Sequence, residues 1–176
     1  MKTYLVEVHT DGSIKWKHPE TKKLHRKDGP AVENADGDRM WYLHGNLHRE
    51  DGPAVEYADG GKEWYIHGNP HREDGPAVED ADGGREWWLN GKLHREDGPA
   101  VEYPNGDKIW WLNGKHHLHR KDGPAIEYTN GGREWYLKDE KLTEKEFLKR
   151  TTKHKELSIR ELEEILGYSV KIVKDE

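Results

Sequence analysis

The sequence predicts a mainly β protein: an elongated single antiparallel sheet of tandem 23-residue β-hairpin repeats, closed by a small α-helical C-terminal cap. Three observations predict it. The segment HR-x-DGPA recurs five times, each copy contains an Asp-Gly or Asn-Gly turn between short β-prone runs, and the pattern stops near Leu142.

The copies start at Leu24, Leu47, Pro70, Leu93 and Leu118, and their histidines are His25, His48, His71, His94 and His119. The spacing is 23 residues until His116 and His117 are inserted before the last copy. Residues 4–17 (YLVEVHTDGSIKWK) read as a degenerate half-unit that starts the array. This divides the chain into 1–23 (N-terminal half-repeat), 24–141 (five hairpin repeats) and 142–176 (cap). A fixed period of this size marks a stacked-repeat architecture, in which each unit buries its apolar residues only against its neighbours.

Within a unit, AVEY alternates, Asp-Gly follows as a two-residue type I′ turn signal, and KEWYL is again β-prone. With Asp59 and Gly60 as the central turn residues, Ala58 pairs with Gly61, Tyr57 with Lys62, Glu56 with Glu63, and Val55 with Trp64. Alternation then puts Val55, Tyr57, Trp64 and Ile66 on a buried face. Ala54, Glu56, Glu63 and Tyr65 take an exposed, acidic face. A slip of one residue would exchange these sets.

Beyond Leu142 the pattern becomes helical. Thr143-x-x-Glu146 is a capping box with Leu142 and Phe147 as its hydrophobic staple, and Ser158-x-x-Glu161 repeats the device. Helices are expected near 143–153 and 158–166, with Gly167 ending the second and SVKIVK following as a strand.

The 32% hydrophobic and 36% charged residues are too polar for a large globular core, yet eight Trp and eight Tyr argue against disorder. The net charge of −6 disfavours direct nucleic-acid binding. The absence of cysteine removes disulfides and thiolate metal sites. The first residues, MKTYLVEVHTDG, contain no apolar run of the kind a signal peptide has, and no segment is long and apolar enough for a membrane span. A cytoplasmic address follows as an expectation, host cytoplasm if the protein is viral.

HR-x-D is the best candidate for catalytic or metal-binding chemistry; the inserted His116-His117 pair, whose side chains point to opposite sides of an extended chain, reads as a loop bulge. Equivalent histidines of successive units should stand about 10 Å apart, whereas metal ligands must lie about 2 Å from one ion. Asp before Gly is a turn residue and Arg pairs with carboxylates, so the motif reads as structural. Five near-equal copies also give five near-equal environments, while acid–base catalysis needs unlike ones. The expectation is therefore a non-enzymatic protein with no catalytic residue, metal or cofactor. The residues set out for a partner are the second aromatics Tyr42, Tyr65, Trp88, Trp111 and Tyr136, the acids Glu56, Glu79 and Glu102, and Met40 and Ile109, which replace the Glu of other units.

The period, the hairpin per unit and the Gly-punctuated aromatic strand resemble MORN repeats over roughly residues 4–140. The usual Gly-x-Tyr-x-Gly run is replaced by HR-x-DGPA, which resembles a variant subgroup with WY-x-NG repeats found in bacteriophages, large DNA viruses and bacteria. The resemblance implies a long single sheet and a scaffolding, protein-binding or lipid-contacting role, without assigning a role to any residue. The functional expectation is a protein-binding module that sequesters or inhibits a partner with a basic or nucleic-acid-binding surface, plausibly a phage or mobile-element protein acting against a host defence factor. Membrane contact is disfavoured by the acidic charge, and a homodimer is left open. The alternatives are a carbohydrate- or cell-wall-binding aromatic repeat and a structural scaffold.

Overall fold

A computed structural model describes residues 3–112, 120, 122–151, 160, 163, 167 and 169. The His116-His117 insertion, His119, all of SVKIVK after Ser169 and most of the second expected helix lie outside the described residues. Among the described residues the chain forms an antiparallel sheet of 13 short strands in hairpin order, and three two-stranded ladders. The sheet begins with β1 (Leu5–Val8) and β2 (Ile14–Lys17) of the half-unit and ends with the strand Glu140–Leu142.

Among the described residues, the first, second, third and fifth units each make two hairpins. In the second unit the first is Val55–Glu56 against Lys62–Glu63, which joins the long sheet. The other is Tyr65–Ile66 against Asn69–Pro70, which forms a separate ladder. Trp64 stands between them. Its N–H donates to the Ala77 carbonyl of the next unit at 2.8 Å, and its carbonyl accepts from the His71 N–H at 3.0 Å. One residue thus ends one ladder, starts the other and bonds the following unit.

The turns correct the expected register. Tyr57 N–H donates to the Gly61 carbonyl, so the first hairpin has a three-residue loop, Ala58 to Gly60, with Gly60 at φ +101°. This is a type I turn followed by a left-handed residue. The two-residue type I′ turn occurs instead in the second hairpin, at His67 (φ 51°) and Gly68 (φ 82°).

The extra loop residue moves the pairing by one. Val55 opposes Glu63 and Glu56 opposes Lys62. The expected faces are therefore half exchanged: Glu63 lies on the side of Val55, and Trp64 does not. One side of the sheet carries Val32, Met40, Val55, Glu63, Val78, Glu86, Val101, Ile109, Ile126 and Glu134 as consecutive cross-strand neighbours. The other carries Glu33, Arg39, Glu56, Lys62, Glu79, Arg85, Glu102, Lys108, Glu127 and Arg133. Every direct neighbour in that second row has the opposite charge, the arrangement that favours cross-strand pairing. The expected continuous acidic face is replaced by an alternating ionic row.

The core is thin and repeated. Ala31, Ala54, Ala77, Ala100 and Ala125 are fully inaccessible, and Val32, Val55 and Val101 nearly so. The C-terminal helix α1 (Glu144–Thr151) begins with the expected capping box. Thr143 N–H and Oγ1–H donate to Glu146 Oε2 at 2.9 and 2.7 Å, and Glu146 N–H returns a bond to Thr143 Oγ1. Leu142 and Phe147 are buried as its staple. Arg160 and Glu163 are helical, and Gly167 (φ +71°) donates its N–H to the Glu163 carbonyl, as a helix-ending glycine should.

Candidate functional site

The recurring HR-x-DGPA motif is a clamp between neighbouring units. The Arg49 guanidinium lies 4.0 Å from the centre of the Trp41 ring of the preceding unit. Its Nε donates to Asp51 at 2.9 Å, and its Nη1 donates to the Pro53 carbonyl at 3.1 Å and to Glu56 at 2.9 Å. Arg72 repeats the arrangement on Trp64, Arg95 on Trp87, and Arg120 on Trp110. Arg26 makes it on Trp16 of the half-unit, which identifies that segment as a true stacking partner. A Cβ at Gly52 would stand 3.1 Å from Arg49 Cζ, so a side chain there would press on the clamped guanidinium. Asp51 is held below the usual carboxylate range by the Arg49 hydrogen bond.

The motif's histidine supports the second turn. His48 Nδ1 accepts the His67 N–H at 3.2 Å, His25 accepts that of His44 at 3.1 Å, and His71 that of Asn90 at 3.1 Å. Accepting at Nδ1 requires a lone pair there, so any proton on the neutral ring sits on Nε2. His25 is buried and its pKa is lowered, first by desolvation and then by the neighbouring His44 and His18. Among the described residues, no group of three or more His, Asp or Glu side chains is placed to hold a metal ion. Arg, Asp, Gly and Pro of HR-x-DGPA are thus accounted for by the clamp, and His by the turn.

Successive clamp loops border open grooves. One of about 660 Å³ is lined by Arg72, Asp74, Trp87, Leu89, Arg95 and Asp97. Comparable grooves of about 790 and 850 Å³ lie over Trp41 and Leu43, and over Trp110 and Leu112. Each has an aromatic and aliphatic floor with charged rims.

The valine side carries a different repeated cluster. Tyr57 Oη–H donates to Glu63 Oε1 at 2.9 Å, and burial together with that carboxylate pushes the Tyr57 pKa up to about 12. Tyr65, two residues past Glu63, is raised still further, mainly by burial. In the third unit Trp88 Nε1–H donates to Glu86 Oε2 at 2.7 Å. In the fifth, Tyr128 and Tyr136 both donate to Glu134, at 3.3 and 3.0 Å, and Lys141 reaches it at 2.8 Å. Each carboxylate therefore gathers the aromatic donors around it.

This sorts the residues expected to meet a partner. Tyr42, Tyr65, Trp88, Trp111 and Tyr136 are half-buried. Met40 and Ile109 occupy the places that Glu63, Glu86 and Glu134 take in other units, within the valine row. Glu56, Glu79 and Glu102 lie on the opposite side and are held by Arg49, Arg72 and Arg95. Among the described residues, the exposed tyrosines are Tyr57, Tyr103 and Tyr128, at 37%, 48% and 38%. Of these, Tyr57 is the one that alternation assigns to the buried face. Tyr57 does share the side of Val55, but it flanks the turn, one residue past the strand Val55–Glu56, and is not covered there.

No protein-family model matches the chain, and no curated protein is significantly similar to it. No helix among the described residues is long and apolar enough to cross a membrane.

Proposed function

We propose that this protein is a non-catalytic protein-binding array whose contact surface is the valine side of the sheet. The observation that carries the reading is the spaced row of exposed Tyr57, Tyr103 and Tyr128, flanked by the carboxylates Glu63, Glu86 and Glu134. Aromatic rings that are already held lose little rotamer freedom on binding and make effective interface anchors. The interspersed carboxylates favour a partner with a basic surface, through steering and specificity. Met40 and Ile109 supply two places on that side without the acid, where apolar side chains of the partner can seat. Sequestration of a host factor by a phage or mobile-element protein is the biological setting this reading carries forward.

The test is affinity capture from cells of the source, followed by mass spectrometry, with the intact protein and a Tyr103→Ala/Trp111→Ala variant. Capture of a basic protein by the intact chain and its loss in the variant are expected. Undiminished capture by the variant would show that the contact lies elsewhere. Binding to an oligosaccharide panel, lost in the same variant, would move the surface to sugar recognition.

A further inference from the structure

The two ends of the sheet are finished differently. At the C-terminal end, α1 leans on the last strands: Phe147 packs against Trp135, and Arg150 pairs with Glu140 on the terminal strand. At the N-terminal end, β1 is the outermost strand and, among the described residues, pairs only with β2. It is LVEV, with no Lys or Pro to discourage edge pairing. Leu5, Val6 and Val8 are 37%, 48% and 72% exposed. Its one charge, Glu7, is already engaged by Lys17 at 2.7 Å.

The hydrogen bonding of β2 shows which backbone groups of β1 face outward. Trp16 gives its N–H to the Ala31 carbonyl and receives the His25 N–H on its own carbonyl, so both groups point away from β1. Val6 opposes Trp16 and therefore makes no backbone bond to it. By the alternation of an antiparallel ladder, the N–H and C=O of Val6 and Val8, and of Tyr4 where the chain extends, point to the open edge.

That edge is complementary to itself. Placed antiparallel about a twofold axis at Val6, two copies would exchange both Val6 N–H···O=C bonds. Val8 of each would pair with Tyr4 of the other. The intervening residues would set Leu5 against Glu7. No like charges would be directly opposed, and the Tyr–Val and Val–Val pairs are of the kinds that stabilise sheets. An isologous contact of this type closes after two copies, whereas head-to-tail stacking would need a matching edge at the capped end.

We propose that β1 is a dimerisation edge, and that two copies of this chain join β1 to β1 about Val6 into one continuous sheet. The pairing is short compared with a standard interface of roughly 1,600 Å². The dimer therefore forms in a concentration-dependent manner rather than permanently.

Sedimentation equilibrium over a wide concentration range tests this. The mass of the intact chain should rise from 20.6 kDa toward twice that value. Val6→Lys, which sets two ammonium groups against each other at the axis, should keep the chain monomeric. The protein has no cysteine, so Val6→Cys reports the axis directly. A hydrogen-bonded antiparallel pair holds its Cα atoms about 5.5 Å apart, within disulfide range. Mild oxidation should therefore give a covalent dimer from Val6→Cys and much less from Leu148→Cys on exposed α1. A mass of 20.6 kDa at every concentration, an undiminished dimer in Val6→Lys, or equal cross-linking at both cysteine positions would each overturn the proposal.

Discussion

Phe147 packs its ring against Trp135 with centroids 4.9 Å apart and planes inclined by 50°. It occupies the role that Arg26, Arg49, Arg72, Arg95 and Arg120 play on Trp16, Trp41, Trp64, Trp87 and Trp110. With no following unit to supply a guanidinium, the helix supplies a phenyl ring. Phe147→Ala should cost about 3–5 kcal/mol, the usual range for truncating a buried Phe. Hydrogen exchange should show the loss concentrated in Arg133–Leu137 and Glu140–Leu142; a uniform loss of protection along the array would contradict a cap role.

The arginine clamp joins stacking to a fixed fork of donors. Arg72→Ala removes its contacts to Trp64, Asp74, Pro76 and Glu79 together. The expected loss is about 2–3 kcal/mol, read from denaturant midpoints. Arg72→Lys should recover little, because an ammonium cannot keep the stack and the divergent bonds at once.

The alternating ionic row predicts sign-dependent effects. Lys62→Glu opposes an acid to both Glu56 and Glu79. It should destabilise by about 1 kcal/mol at low salt, with the effect shrinking as salt is added. Lys62→Gln should cost less, because it removes the attraction without adding a like charge.

His25 makes the N-terminal units sensitive to acid. Its folded pKa is lowered by burial and by His44 and His18. The unfolded chain therefore binds the proton first, and stability falls as pH drops from about 6.5 toward the folded value. Protonation at Nδ1 also breaks the bond accepted from the His44 N–H. The His44 amide should exchange faster at pH 5 than at pH 7, after correction for intrinsic rates.

Tyr57 should titrate with a pKa of about 12 in an ultraviolet difference experiment. Glu63→Gln should lower it, since that carboxylate both accepts the hydroxyl proton and repels the phenolate. Because the folded form keeps its proton longer than the unfolded one, stability should decline above about pH 10.

Much of this architecture was legible in the residues. The repeat boundaries, the half-unit and the capping box at Thr143 and Glu146 follow from spacing and local chemistry. The sides of the sheet did not follow, because Asp59-Gly60 serves equally as a two-residue turn or as the end of a three-residue loop. The electrostatics held the answer: the two-residue reading sets Glu56 against Glu63, and the three-residue reading sets Glu56 against Lys62. Opposed like charges repeated in several units were the signal against the first. The Arg–Trp clamp was hidden because its members sit eight or ten residues apart in neighbouring units (Trp41 and Arg49, or Trp110 and Arg120). Only the stacked geometry brings them into contact.

The ionic row also bears on how such a chain can change length. Each repeat contributes one acid and one base to it, as Glu56 and Lys62 do. Duplication or deletion of a whole repeat therefore joins an acid to a base at the new boundary, and each arginine still meets a tryptophan. Copy number can drift by recombination without a compensating substitution, so homologous arrays should vary in whole units while keeping their ends.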